Sequence, residues 1–86
     1  MKIEKKIWPE YFQAVADGKK KFELRLADFD VQEGDILLLR EWDPQNESYT
    51  GREMEREVSF VIKTKDLNFW SQAEIDKYGF QIISLR

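Results

Sequence analysis

The spacing of apolar residues near the start of the chain predicts a strand followed by a helix. Residues 2–7 alternate loosely between apolar and charged side chains, as in a short strand. A proline then opens residues 9–17, Phe12 and Val15 recur at helical spacing, and Gly18 supplies a common helix terminator. The sequence therefore predicts a helix over residues 9–17 whose apolar stripe packs into the core.

After this helix the apolar period changes to two. Phe22, Leu24 and Leu26 fall on one parity. Glu23 and Arg25 fall on the other parity. This alternation predicts a half-buried strand with its apolar side chains on one face and with Glu23 and Arg25 together on a polar face.

The remaining pattern predicts three more strands and a second helix. Residues 36–39 are apolar on both parities, which indicates that the strand predicted over residues 36–42 is covered on both faces, by the barrel interior and by a helix. A polar connection over residues 43–51 leads to a second hairpin strand over residues 57–63. A capping-box pattern opens a helix over residues 71–78, and residues 80–85 form the last predicted strand.

Five strands with one or two helices favour an α+β fold that is mainly β, since an open sheet would leave unprotected edges. The expected architecture is a small closed or nearly closed β-barrel of about five to six strands, flanked by one or two helices. An open α+β sandwich is the alternative. With 86 residues and no internal repeat, the chain is expected to be a single domain over residues 1–86.

Composition restricts the chemistry that the chain can perform. Cysteine and histidine are absent, which excludes disulfides, thiolate nucleophiles, Ser/His/Asp triads and thiolate or imidazole metal ligation. The acidic spacing in residues 28–35 resembles a calcium loop, but Leu39 stands where the closing glutamate is required. We therefore expect neither a metal nor a cofactor. We also expect a cytoplasmic protein without a membrane partner, because no apolar run suits a bilayer or a signal peptide.

Charge is distributed unevenly. The net charge is −3, but residues 1–26 hold seven Lys/Arg against four acidic residues, whereas residues 27–86 hold seven against thirteen. Such a basic end on an acidic body suits a local anion site better than a broad surface for a nucleic-acid backbone.

The octet of residues 18–25, GKKKFELR, carries the pattern GxKxxExR. Its lysine, glutamate and arginine place donors and an acceptor beside a turn, as a polar ligand such as a nucleobase with its phosphate would require. Lys20 has the wrong parity to join Glu23 and Arg25 on a regular strand. The three side chains converge only if Lys20 lies in the turn or a bulge redirects it.

The octet resembles the signature of ASCH domains, small β-barrels of the PUA-like superfamily, and in particular a bacterial and phage subgroup of unknown function. The resemblance runs from about residue 5 to residue 85. The other matching elements occur in order and are Tyr11-Phe12, Gly34-Asp35, Glu41 and Thr50-Gly51-Arg52. This chain departs from the subgroup at Phe29, where an arginine is usual, and so lacks one anion contact.

The resemblance implies RNA binding in a cleft that the octet lines. Some relatives, the N4-acetylcytidine amidohydrolases, are thought to use the motif lysine, a threonine three residues later and a distal glutamate. Lys20 matches that lysine, but Glu23 occupies the threonine position, so a hydroxyl nucleophile is missing and an enzyme is disfavoured.

Three functions remain open from the sequence. The first is a binding module for RNA or a nucleotide-like ligand, with oligomeric state and natural ligand undetermined, in which an aromatic side chain such as Trp42 stacks a base. The second is a small amidohydrolase acting on an acylated nucleoside, with Glu23 or Glu41 as acid/base. The third is a protein-interaction or regulatory module. No residue is predicted to be catalytic. The predicted ligand-binding residues are Lys20, Glu23, Arg25, Glu41, Arg52, Trp8 and Tyr11.

Overall fold

Three strands form one open mixed sheet in the computed structural model, which describes all residues from 1 to 86. The strand order is β1-β2-β3; β1 is parallel to β2, and β2 is antiparallel to β3. Two α-helices and a 3₁₀ helix complete the fold. The elements are β1 (Lys2–Ile7), α1 (Pro9–Ala16), β2 (Ile36–Asp43), β3 (Ser48–Glu57), the 3₁₀ helix Thr64–Asp66 and α2 (Gln72–Tyr78). The predicted barrel of five to six strands is therefore wrong, because the sheet has three strands and two free edges.

The predicted first strand and first helix are confirmed. Trp8 is extended at φ −71° and ψ 154°, as a residue before proline must be, and α1 begins at Pro9. Asp17 ends the helix, and Gly18 follows at φ 75°, a conformation that glycine adopts without steric cost. The predicted capping box at the start of α2 is also present, with Ser71 and Glu74 bonded reciprocally.

The core lies between α1 and one face of the sheet. Ile7, Phe12 and Leu39 are buried, and three half-buried side chains pack against them: Val15, Leu37 and Met54. Burying a side chain of this size stabilises the fold by about 1.5–3 kcal/mol relative to leaving it exposed. The helix stripe thus packs as expected and fixes α1 over the centre of β2.

The opposite face of β2 carries ion pairs rather than a second apolar layer. Arg40 pairs with Glu4 of β1 and with Glu53 of β3. The prediction that residues 36–42 are covered on both faces is therefore wrong. A sheet with one helical layer leaves its other face to solvent, where cross-strand charge pairs stabilise it modestly.

The hairpin partner of β2 lies earlier in the chain than predicted. Asp43 pairs with Ser48, so the connection is a short turn, and Glu57 already pairs with the first residue of β2, Ile36. Val58 makes the last backbone bonds, with Gly34 and Asp35. The predicted strand over residues 57–63 does not form. Glu57 already pairs with the first residue of β2, so β2 has no residue left to pair with the chain that follows.

Two further predicted strands, over residues 21–26 and 80–85, are also absent. The first passes the free edge of β1 but bonds to it through a side chain, since Arg25 Nη2 donates to the Lys6 carbonyl at 2.7 Å. The guanidinium thus occupies an acceptor that a neighbouring strand would have used. Residues 80–85 have no adjacent strand with which to pair.

Candidate functional site

The turn after α1 sets the position of the motif lysine. The amides of Lys19 and Lys20 both donate to the Ala14 carbonyl at 3.0 Å, so the chain wraps back on the helix end before it continues. Lys20 consequently lies in the turn, outside any strand. This satisfies the condition under which the sequence predicted that the three charged side chains converge.

Lys20, Glu23 and Arg25 form one hydrogen-bonded group, which we call the motif cluster. Lys20 Nζ lies 2.6 Å from Glu23 Oε1 and donates to the Phe22 carbonyl at 3.0 Å. Arg25 Nε donates to Glu23 Oε2 at 3.0 Å. The side chains are only 15%, 16% and 28% exposed, in the order Lys20, Glu23, Arg25. Two cations therefore flank one carboxylate in a partly desolvated setting, with an excess of one positive charge.

The motif cluster borders a cleft of about 540 Å³ between the end of α1, β2 and residues 56–63. Thirteen of its 22 lining residues are hydrophobic, so the cluster stands on an otherwise apolar wall. A concave apolar site with a few convergent polar groups is the usual form of a small-molecule pocket. The apolar lining includes Val15, Leu37, Leu39, Val58, Phe60 and Ile62.

Residues 21–26 do not have the two separate faces of the predicted half-buried strand. Glu23 and Arg25 line the cleft together with Phe22 and Leu26, whereas Leu24 is 65% exposed. Charged and apolar side chains therefore share the cleft wall, and the predicted separation into an apolar and a charged face is wrong. Hydrogen bonds within the motif cluster orient the segment here, since no strand holds it in register.

Glu41 and Arg52, two other predicted site residues, belong to a second group outside this cleft. Thr50 Oγ1 donates to Glu41 Oε1 at 2.6 Å, and Arg52 Nη1 lies 3.6 Å from Glu41 Oε2. The guanidinium also lies over the Phe12 ring, 4.6 Å from its centre, and bonds to Gln13. We call Glu41, Thr50 and Arg52 the hairpin cluster. None of its members lines the cleft.

The predicted aromatic residues lie outside the cleft as well. Trp8 and Tyr11 are each about half exposed, and the Tyr11 ring centre lies 6.0 Å from Lys20 Nζ. Trp42 contacts Tyr49 edge to face and has Lys6 Nζ 3.8 Å from its ring centre. The structure thus brings together three of the seven predicted ligand-binding residues and places the other four elsewhere.

Sequence reasoning missed a cation and an aromatic ring beside the motif cluster. Phe29 lines the cleft, and Lys5 Nζ lies 3.5 Å from its ring centre. Position 29 could have indicated this contact, because Phe29 is the one departure from the subgroup pattern noted in the sequence. A lysine from β1 therefore places a positive charge next to the position where the subgroup usually carries an arginine.

Two further observations concern a membrane and a metal ion as partners. Neither α-helix has the length and apolar character needed to cross a bilayer. Histidine, cysteine, aspartate and glutamate side chains form no group of three or more that would hold a metal ion.

The fold and the cleft define a small α+β domain with a charged cluster on the wall of an apolar ligand-sized pocket. The chain belongs to a family described as a domain of unknown function, DUF3850, whose model matches residues 3–75. It is also similar to an uncharacterized 12.9 kDa protein in the GpA 3′ region of Escherichia phage P2, with 37% identity over 67 residues. That alignment covers 78% of this chain but only 57% of the phage protein.

Proposed function

We propose that this protein binds a nucleotide-like ligand, either a free nucleotide or an unpaired nucleotide of RNA, in the cleft beside the motif cluster. One observation carries the proposal: two cations and a carboxylate, all partly buried, converge on the wall of an apolar cleft of about 540 Å³. An anionic ligand with a flat, weakly polar body matches both parts of this wall.

The motif cluster has donors left for an anion. Lys20 uses two of its three N–H groups on Glu23 and the Phe22 carbonyl. Arg25 uses Nε and Nη2, which leaves its Nη1 group for a phosphate oxygen. Glu23 can accept from the exocyclic amine of a base while it stays bonded to both cations.

Global charge supports a compact ligand over a long polyanion. A net charge of −3 opposes a protein surface that follows a nucleic-acid backbone, whereas the local excess of one positive charge in the motif cluster attracts a single phosphate. The resemblance of the octet to ASCH domains supports the same ligand class and is part of the proposal.

The amidohydrolase alternative has less support from the geometry. A hydroxyl nucleophile activated by a base is needed near Lys20. The Thr50 hydroxyl is bonded to Glu41 outside the cleft, and Ser59, which lines the cleft, has no hydrogen bond to a basic side chain. Lys20 is also committed to Glu23 at 2.6 Å. Incubation with N4-acetylcytidine, followed by chromatography for free cytidine, tests this alternative, and release of cytidine would revive it.

The direct test is calorimetric titration with cytidine 5′-monophosphate (CMP) at low salt. We expect Lys20→Ala with Arg25→Ala to weaken binding at least tenfold, which corresponds to about 1.4 kcal/mol. Lys65→Ala is the matched control, because Lys65 is exposed and lies outside the cleft. Equal CMP affinity in the double variant and the control would exclude the proposed site.

A further inference from the structure

The C-terminal residues 80–86 lie directly behind the cleft wall that carries Lys20. The Lys21 amide donates to Ser84 Oγ at 2.9 Å, one residue beyond the motif lysine. A second cavity, of about 430 Å³, separates residues 17–19 from residues 84–86, and Gly18 borders both this cavity and the cleft. The turn that positions Lys20 is therefore a thin partition between the ligand site and the C-terminal segment.

This segment has few contacts that hold it in place. The bond between Lys21 and Ser84 is the one hydrogen bond that joins residues 80–86 to the rest of the chain. No ion pair involves these residues. Segments with few buried contacts and few hydrogen bonds open locally at low free-energy cost.

Its side chains nevertheless suit a packed position. Ile83 is 68% exposed and Leu85 is 76% exposed, so the segment presents large apolar groups to water. Packing these groups against the turn at residues 18–21 removes them from water, which favours the closed position.

We propose that residues 80–86 form a C-terminal clasp that regulates the ligand site by holding or releasing the turn at residues 18–21. With the clasp closed against this turn, Lys20 stays directed toward Glu23 and the cleft. With the clasp open, the turn gains freedom, and ligand binding must then fix it at an entropic cost. The regulatory part of this inference rests on the proposed nucleotide-binding function, whereas the mechanical coupling does not.

The mechanical coupling is tested without ligand by amide hydrogen exchange over residues 19–26. We expect Ser84→Ala to speed exchange in this segment at least fivefold, because it removes the acceptor for the Lys21 amide. Gln81→Ala is the matched control in the same segment, since Gln81 is exposed and forms no hydrogen bond. Ser84→Thr keeps a hydroxyl and should restore slow exchange. Unchanged exchange in Ser84→Ala, or an equal increase in the control, would overturn the clasp.

The regulation is tested by titrating the same variants with CMP. We expect Ser84→Ala to lower CMP affinity about fivefold, with Gln81→Ala and Ser84→Thr close to the unmodified protein. If exchange rises but CMP affinity is unchanged, the clasp does not regulate the site and the regulatory inference is wrong. If the unmodified protein does not bind CMP, the proposed function fails for this probe, while the exchange result still decides the coupling.

Discussion

Two carboxylates of this protein, Glu23 and Glu41, have opposite settings although both come from the same predicted set of site residues. Glu23 is 16% exposed and contacts two cations at 2.6 and 3.0 Å on the wall of a cleft. Glu41 is 6% exposed, accepts from the Thr50 hydroxyl and has one cation at 3.6 Å, outside the cleft that Glu23 lines. The proposed function therefore assigns ligand contact to Glu23, whereas Glu41 joins β2 to β3 through Thr50.

The difference shows how depth and access separate a ligand group from a structural one. A buried carboxylate must be satisfied by its own neighbours, since water and ligands do not reach it. Glu41 has such a neighbour in Thr50, across the hairpin. Glu23 lies on the wall of a cleft, where a bound anion could contact the same two cations, Lys20 and Arg25. The following predictions test whether these two roles are distinct, beginning with the largest expected effect.

Glu41→Ala should lower the free energy of unfolding by about 1.5–3 kcal/mol, the usual contribution of a hydrogen bond to a charged group. The loss arises because Thr50 and Arg52 lose their shared acceptor. Urea denaturation measures it. Glu41→Gln keeps the volume and an oxygen acceptor, so it should cost much less. CMP affinity should not change in either variant; a tenfold weaker affinity in folded Glu41→Ala would show that the two roles are not separate.

Glu23→Gln should change ligand binding more than stability. Removing this negative charge leaves two cations at the cleft, so affinity for inorganic phosphate should rise about fivefold, or ~1 kcal/mol. Because Glu23 is proposed to accept from an exocyclic amine, the unmodified protein should bind CMP more tightly than uridine 5′-monophosphate. This preference should disappear in Glu23→Gln, because an amide reads the exocyclic amine less selectively than a carboxylate.

Calorimetric titration at low salt measures both effects of the Glu23 substitution. Glu10→Gln makes the same change in net charge on the exposed side of α1, and it is the control for a general charge effect. Equal phosphate affinities in the two variants would remove Glu23 from the site.

The first half of the fold could be predicted from the sequence because its signals are local. Proline at the start of α1, Gly18 after its end and the stripe through Phe12 fixed that helix within one residue. The motif cluster was also predictable once Lys20 was assigned to a turn. Separation of Glu41 and Arg52 from that cluster depends on which way β3 pairs with β2, and the sequence carries no direct signal for this.

The strands were harder to predict because β propensity depends on a partner. Residues 48–57 form β3 although they lack apolar alternation, since Met54 alone packs on the core while charged side chains cover the remaining surface. Residues 58–63 have the alternation and residues 80–85 have large apolar side chains on both parities, but neither segment has a neighbouring strand, and both are without strand structure. Pairing of β3 with the whole of β2 decided the register, and that is a long-range contact.

Arg52→Ala should have a smaller effect than either glutamate substitution. Arg52 is 52% exposed and lies 3.6 Å from its partner, so the ion pair should contribute no more than about 1 kcal/mol, including its contact with the Phe12 ring. Urea denaturation measures the loss, and Arg52→Lys separates charge from ring contact. CMP affinity should be unchanged. Weaker CMP binding in both variants would extend the ligand site to the hairpin cluster.

Asp35 provides a third carboxylate, whose stabilising effect is complete at neutral pH and is lost only in acid. The Gln32 amide, and next the amino group of Met1, hold the pKa of Asp35 below its ordinary value of 3.8. Because the folded-state pKa is lowered, its stabilisation is complete above the unfolded-state pKa. This stabilisation is lost as pH falls from about 4 through the folded-state pKa.

Asp35→Asn should therefore flatten the fall in stability between pH 5 and pH 3, measured by urea denaturation at each pH. Asp28→Asn is the control, because Asp28 is exposed and forms no hydrogen bond. Wild type and Asp28→Asn should keep the steeper slope. The pKa values of Asp43 and Glu74 are also lowered, but their contribution is common to all three proteins and so does not separate the curves. Parallel curves for wild type and Asp35→Asn would mean that Asp35 does not stabilise the fold through its charge.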